Sequence, residues 1–168
     1  ATDIVFDKTG TLSDGRPVLA TVEVFDGLDR EQALRIAAAL ERDSGHPLAT
    51  AFTAGDLPAV PAQQVQAVPG RGVQGVVDGQ AWRLGRADIA AGAADDGALW
   101  LGDGQCARAR FVLEERPRAD AAQALHELRG LGLALHLASG DGEAAVRRMG
   151  PALGLDQLHA RQSPEDKL

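Results

Sequence analysis

An apolar triplet, Ile4-Val5-Phe6, runs directly into Asp7-Lys8-Thr9-Gly10-Thr11-Leu12, and this junction constrains the chain more than any other stretch. The triplet is β-prone and apolar enough for a buried strand. A carboxylate stands where that strand ends, followed by a lysine, a glycine and two hydroxyls, the composition of a tight loop. In open α/β sheets, ligands bind outside the carboxyl ends of the strands. A carboxylate there, flanked by Lys8, Thr9, Thr11 and free loop amides, suits attack on a phosphoryl group. The lysine and amides are expected to hold the transferring oxygens and offset their charge. A lone Asp would be an ordinary turn residue; the preceding strand is the context such a motif needs.

Beyond the junction, the chain changes grammar twice. Ser13-Asp14-Gly15-Arg16-Pro17 reads as a turn and Val18 to Phe25 as an extended segment. Asp29, with Gln32 three residues on, is a capping-box variant that opens a helix with Ala33, Ile36, Ala37 and Leu40 on one face. Ser44-Gly45 ends it, and Pro47 starts a second helix through Leu48 and Phe52. From Gln64 to Phe111, short apolar runs alternate with turn signals. Asp78-Gly79 and Gly102-Asp103-Gly104 each separate two such runs, so two hairpins and an antiparallel sheet are predicted, with the two helices packed on it. After Pro117, Arg118 to Arg129 has helical spacing, with Gly130 as the expected C-cap. A strand from Leu133 to Ala138 leads into the loop Ser139-Gly140-Asp141, then a helix through Val146 and Met149. That is βαβ grammar and implies a parallel sheet. The predicted architecture is α/β: a parallel-sheet domain from residues 1–21 and 113–168, with residues 22–112 inserted as an α+β domain.

The chain has 168 residues, 45% of them hydrophobic, enough for one sizeable core or two small ones. A formal net charge of −7 argues against a nucleic-acid or anionic-membrane surface. Cys106 is the single cysteine, which excludes an internal disulfide framework and fits a reducing compartment. No run approaches the ~20 apolar residues of a membrane span, and no signal-peptide pattern is visible. With Ala1 first and Lys167-Leu168 last, the chain reads as a soluble piece of something larger. His126, His136 and His159 share no metal-ligand spacing and read, with Cys106, as structural.

Further stretches carry chemical signals. Glu41-Arg42-Asp43-Ser44-Gly45-His46-Pro47 sits at a helix–turn–helix junction, where an imidazole can stack on or hydrogen-bond an adenine beside a carboxylate on the same wall. Taken alone, His46 fits a capping or surface role at least as well. Gly70-Arg71-Gly72-Val73-Gln74-Gly75 satisfies G-x-G-x-x-G but is followed by a hairpin strand, so it fails the dinucleotide-fold test. Ser139-Gly140-Asp141 offers a hydroxyl and amides at a strand end, a phosphate-binding corner. Lys167, in Ser163-Pro164-Glu165-Asp166-Lys167, would by itself be solvated.

The hexapeptide from Asp7 resembles the phosphorylation motif of P-type ATPases, in the haloacid-dehalogenase superfamily. Many phosphatases of that superfamily carry a second Asp two residues after the nucleophile; here Thr9 stands there, and an acyl phosphate without that local base should persist. Ser-x-His-Pro with Glu five residues before the His resembles the nucleotide-binding signature of the heavy-metal-transporting class, on Glu41, His46 and Pro47. Gly70 and Gly72 resemble its Gly-x-Gly loop, Ser139-Gly140-Asp141 its Thr-Gly-Asp, and Pro164 with Lys167 its Pro-x-x-Lys. Where the class often has Gly-Asn, this chain has Gly85-Arg86.

The resemblance implies a haloacid-dehalogenase-like phosphorylation domain with an inserted nucleotide-binding domain, belonging to a pump for a heavy-metal cation, most readily Cu⁺ and next Zn²⁺ or Cd²⁺. It implies ATP bound through Glu41, His46, Gly70 and Gly72, and a γ-phosphate brought to Asp7 by domain closure. Mg²⁺ would be held by Asp7 and the carbonyl of Thr9, with Ser139, Gly140, Asp141 and Lys167 around the phosphoryl group. The transported ion would be handled by a membrane domain outside this chain, on whose cytoplasmic face a monomeric piece such as this would lie, with no nucleic-acid partner. The family's Gly-Asp-Gly-x-Asn-Asp segment would follow Lys167, where the chain ends, so the piece is expected to bind nucleotide and autophosphorylate weakly or not at all. A soluble phosphatase of the superfamily, acting on small phosphate esters, and a nucleotide-binding module that leaves Asp7 unused are the alternatives.

Overall fold

Alternation along the first strand sets its orientation: Ile4 and Phe6 join a buried cluster, whereas Val5 is 54% exposed. The structure, a computed structural model, describes residues 2–42, 44, 48–52, 57–140, 143–155 and 157–160. Among these the elements in chain order are β1 (Asp3–Asp7), β2 (Ser13–Val24), α1 (Arg30–Glu41), α2 (Ala49–Phe52), β3 (Ala62–Val68), β4 (Gly72–Val77), β5 (Gln80–Gly85), α3 (Ala87–Ala90), β6 (Leu99–Gly102), β7 (Ala107–Pro117), α4 (Ala121–Gly130), β8 (Ala134–Ala138), α5 (Glu143–Ala152) and β9 (Gln157–His159). No helix of the described residues is long and apolar enough to cross a membrane. Contacts divide the chain into two units, Ala1–Arg16 with Glu115–Leu168, and Pro17–Glu114. The first break falls a few residues earlier than residue 22 and the second slightly later than residue 112. The earlier break has a packing reason: Leu19 already lies against the hydrophobic cluster of the second unit.

The first unit is built on a parallel sheet in the order β1-β8-β9. Strands β1 and β8 pair from Asp3↔Ala134 to Asp7↔Ala138, and β9 adds in parallel on the other side of β8. Leu135 and Leu137 of β8 meet Leu125 of α4 and Val146 and Met149 of α5, with Ile4 and Phe6 packed against them. One face of the sheet thus carries the helices, as βαβ connections require.

Helix α4 ends differently from the expectation. Gly130 is its last helical residue, and the left-handed residue is Gly132, at φ +78°, whose N–H donates to Arg129 O at 2.8 Å. Either glycine tolerates a helix end in sequence; the backbone hydrogen bonds place the reversal at the second.

In the second unit the described strands form a sheet in the order β2-β7-β6-β5-β4-β3, antiparallel from β3 through β7. Helix α1 starts with a full capping box: Gln32 N–H donates to Asp29 Oδ1 at 2.7 Å, and Asp29 N–H donates to Gln32 Oε1 at 3.5 Å. Its face of Ala33, Ile36, Ala37 and Leu40 is buried with Val73, Val77, Leu84, Leu101 and Phe111 of the sheet. Phe52 of α2 meets Phe111 edge-on, ring centroids 5.1 Å apart.

Strands β3 and β9 and the short helix α3 have no expected counterpart. Strand β3 is hidden by a bulge, with a register shift between Gln63 and Gln66 and Gln64 at φ +53°, which breaks the apolar alternation. Strand β9 is three residues long and is held by its pairing with β8.

The two glycines after α4 should respond with opposite signs. Gly132→Ala forces a side chain into the left-handed region and is expected to destabilise by about 1 kcal/mol. Gly130→Ala is expected to be neutral or stabilising by up to about 1 kcal/mol. Urea unfolding of both variants checks this, and equal shifts would refute the assignment.

Candidate functional site

Asp7 is the last residue of β1 and is half-buried, in register with Ala138 at the end of β8. The loops beginning at Lys8 and at Ser139 therefore leave neighbouring parallel strands at the same edge of the sheet. Residues Lys8–Leu12 form one wide turn, closed by Ser13 N–H donating to Lys8 O, with Gly10 at φ +79°. Leu12 anchors the far end: its side chain is buried, and its carbonyl accepts from Arg118 N–H at 2.8 Å. Ser139 is 2% exposed, and its N–H donates to His159 O at 2.9 Å, while Gly140 is exposed. Thr9 is exposed as well. Asp141 and Lys167 lie outside the described residues.

Lys8 points inward rather than into the loop mouth. Its side chain is 5% exposed, and Nζ lies 3.6 Å from Glu115 Oε2. Ser13, fully buried, donates its hydroxyl to the same oxygen at 2.5 Å, and Thr9 Oγ1 lies 3.5 Å from it. Glu115 is thus the carboxylate beneath the Asp7 loop, and the sequence reading missed it. Glu114-Glu115-Arg116 reads locally as a solvated charged run; what distinguishes Glu115 is the return of a distant segment beneath the loop. The expectation placed Lys8 among the groups holding a phosphoryl oxygen. In the structure its ammonium faces Glu115, and the loop spanning Thr9 to Thr11 is exposed.

On the outer side of the same sheet, His136 Nε2 lies 3.1 Å from Asp3 Oδ1, and His136 Nδ1 lies 3.3 Å from His159 Nε2, the two rings stacked at 5.5 Å. The Thr2 hydroxyl, then His136, hold the Asp3 carboxyl below its usual range. Among the described residues no group of three or more His, Cys, Asp or Glu side chains is placed to hold a metal ion.

The second unit contains a cavity of about 540 Å³ in which Glu41, Gly70 and Gly72 meet. Glu41 ends helix α1 and is 4% exposed; the Ser44 hydroxyl donates to its carboxylate and, at 2.8 Å, to its main-chain oxygen. Apolar walls come from Leu48, Val73, Leu99 and Leu113. His46 and Pro47 lie outside the described residues. Strands β4 and β5 touch backbone to backbone at the cavity: a Cβ on Gly72 would lie 2.2 Å from Leu84 O, and one on Gly85 would lie 2.1 Å from Arg71 O. No side chain fits at either position, so both glycines are steric necessities. Arg71 and Arg86 also line the cavity. Hydrogen-bonded to Arg71, Asp88 keeps its carboxyl below the usual range.

A unit built on a parallel α/β sheet with a carboxylate loop at its strand ends, joined in one chain to an antiparallel unit, defines the class. Residues 4–168 match the haloacid dehalogenase-like hydrolases, and the chain belongs to that family. Within the wider set of similar proteins, the matches are metal-transporting P-type ATPases. The probable copper-transporting ATPase SynA of Synechococcus elongatus is 38% identical over 177 residues, covering 97% of this chain and 22% of that protein. The copper-transporting ATPase of Helicobacter felis is 33% identical, covering 98% of this chain and 24% of its own length. Among solved structures, the catalytic domain of the CPx-ATPase CopB-B superposes with a TM-score of 0.73 at 26% identity, covering 98% of this chain and 64% of that one. A zinc-transporting PIB-type ATPase in its E2.Pi state gives 0.74 at 28% identity, covering 98% of this chain and 30% of that one. The chain spans less than a quarter of the curated relatives named above, at 22% and 24%.

Glu115→Gln removes the charge that Lys8 faces while keeping the shape. It is expected to destabilise the first unit by about 1–3 kcal/mol, the cost of weakening a largely buried charged contact. Denaturant unfolding together with amide shifts at residues 8–13 checks this; an unchanged midpoint and unchanged shifts would show that Glu115 is not the loop's anchor.

Proposed function

We propose that this chain is the nucleotide-binding and phosphoryl-accepting portion of a heavy-metal-transporting P-type ATPase, the first unit being its phosphorylation domain and the second its nucleotide-binding domain. The carrying observation is that copper-transporting ATPases match it over 97% and 98% of its length, so the Asp7 loop and the Glu41–Gly72 cavity stand within one stretch similar to theirs.

The buried Glu41 carboxylate is an acceptor in a mostly apolar cavity, which suits the exocyclic amine of adenine. Backbone left bare at Gly72 and Gly85 lets a phosphate chain come close to main-chain N–H groups. In the transfer, an Asp7 carboxylate oxygen attacks the γ-phosphorus in line. The bond from that phosphorus to the β–γ bridging oxygen breaks, ADP leaves with the electron pair, and an acyl phosphate remains on Asp7. Loop amides and the Ser139 hydroxyl stabilise the equatorial oxygens. Lys8, drawn down onto Glu115, fixes the loop from below.

The Asp7 carboxylate and the Thr9 carbonyl are hard oxygen donors. They suit Mg²⁺, which takes one or two protein ligands when substrate phosphate and water complete its shell. When bound, the ion supplies charge neutralisation at the phosphoryl oxygens. Two residues beyond Asp7 stands a threonine, which is no base near neutral pH, so the acyl phosphate persists long enough to drive a pump. By similarity to the copper-transporting ATPases, the cargo of the whole protein is Cu⁺, moved across a membrane from whose cytoplasmic face this portion projects.

An ATP titration of the chain, followed by amide NMR shifts, tests the cavity. Shifts are expected around Glu41 and Gly70–Gly72, and Glu41→Ala should weaken binding by about tenfold, the cost of one buried hydrogen bond. Asp7→Asn should bind ATP normally. In the full-length protein the same substitution should abolish a hydroxylamine-labile, ATP-dependent label. ATP shifts that avoid the cavity would sink the reading.

A further inference from the structure

The segment Arg71-Gly72 and the segment Gly85-Arg86 are locked together at the mouth of the cavity. Gly72 and Gly85 are register partners, and Arg86 N–H donates to Arg71 O at 2.9 Å. The crossing requires both glycines, since a Cβ on either would overlap the opposite backbone. Two arginines at the open end of one hairpin are thus held as neighbours, both lining the cavity.

Their guanidinium groups share one carboxylate. Arg71 Nη2 lies 2.6 Å from Asp88 Oδ2, and Arg86 Nε lies 3.5 Å from Asp88 Oδ1. Arg86 Nη2 reaches a second carboxylate, Asp95 Oδ2, at 3.4 Å, and Asp95 is itself part of the cavity lining. The four side chains are between 36% and 50% exposed. Such exposed pairs hold geometry but little energy. Arg86 lies about equally far from its two carboxylates, but Asp88 is itself held by Arg71 at 2.6 Å, so Asp95 is the partner that can exchange without disturbing the second arginine. A phosphate carries more charge than a carboxylate and matches the planar guanidinium fork with two parallel hydrogen bonds.

We propose that Arg86, aimed by Asp88 and released from Asp95, binds the phosphate chain of the nucleotide in this cavity, with Arg71 as a second cation, making the site selective for polyphosphate nucleotides. The proposal rests on the nucleotide reading of the cavity. Asp95 acts as a built-in competitor: it occupies the guanidinium when the cavity is empty and gives way to a phosphate. The site then discriminates by phosphate number, ATP above ADP above AMP, and its preference for ATP weakens as salt rises.

Calorimetric titration of the whole chain with ATP, AMP and adenosine, at two salt concentrations, tests this. Arg86→Asn is expected to weaken ATP by about two- to fivefold, the range of an exposed charged contact. It should leave adenosine unchanged and flatten the salt dependence, with Arg86→Lys retaining part of the effect. Asp95→Asn is expected to tighten ATP severalfold with adenosine again unchanged. Retention of wild-type ATP affinity and salt dependence by Arg86→Asn overturns the proposal. So does weaker ATP binding in Asp95→Asn, which would make Asp95 a support rather than a competitor. If the wild-type chain binds neither ATP nor adenosine, the nucleotide reading fails together with the proposal. If it binds both in a Glu41-dependent way while the Arg86 variants change nothing, the reading stands and the arginine proposal alone falls.

Discussion

Parallel pairing of β1 with β8 is the constraint on which the first unit depends. The two strands come from opposite ends of the sequence, and their register sets Asp7 against Ala138. A one-residue slip would turn Ile4 and Phe6 out of the core and Asp3 and Val5 into it, so the hydrophobic pattern enforces the register. Because both strands run the same way, the loops after Asp7 and Ala138 open at one edge, where the helices of the βαβ units leave the strand ends accessible. The chemistry of Asp7 and the proximity of Ser139 both follow from this pairing.

The turn after Asp7 then requires its own support. Gly10 supplies the left-handed backbone, Leu12 and its carbonyl tie the exit, and Glu115 collects Lys8 and Ser13 from below. A carboxylate that faces a buried ammonium and a buried hydroxyl is a stiff foundation, because any rotation leaves a charged or polar group unsatisfied. Preorganisation of this kind is what the proposed transfer requires of loop amides that face a developing negative charge.

Much of the fold was legible locally. The capping box at Asp29, the hairpin at Asp78-Gly79 and the helix through Val146 and Met149 appear where their residues indicate, because each rests on short-range geometry. The bulged strand β3 and the three-residue strand β9 were not legible, since pairing partners rather than their own sequences make them strands. The helix end at Gly132 rather than Gly130 was ambiguous for a similar reason, as two glycines stand within one turn. In the candidate site, Asp7 was singled out by its type and its place after a strand, and Glu41, Gly70 and Gly72 by their resemblance to the family's motifs. Glu115 was not, because a glutamate in a charged run carries no local mark of burial.

By itself, then, the sequence determined the alternation of structural styles and where the candidate loops fall, because turns, caps and hydrophobic periods are encoded within a few residues. Tertiary structure alone decided that Lys8 turns down onto Glu115, that Ser139 stands beside the Asp7 loop, and that Arg71 and Arg86 share Asp88 at the cavity mouth. The first two bring together segments distant in the chain, and the third depends on how the ends of one hairpin cross. Strand pairing and the close backbone crossing at Gly72 and Gly85 create them, and the side chains that meet there are not marked out by their own sequence neighbours.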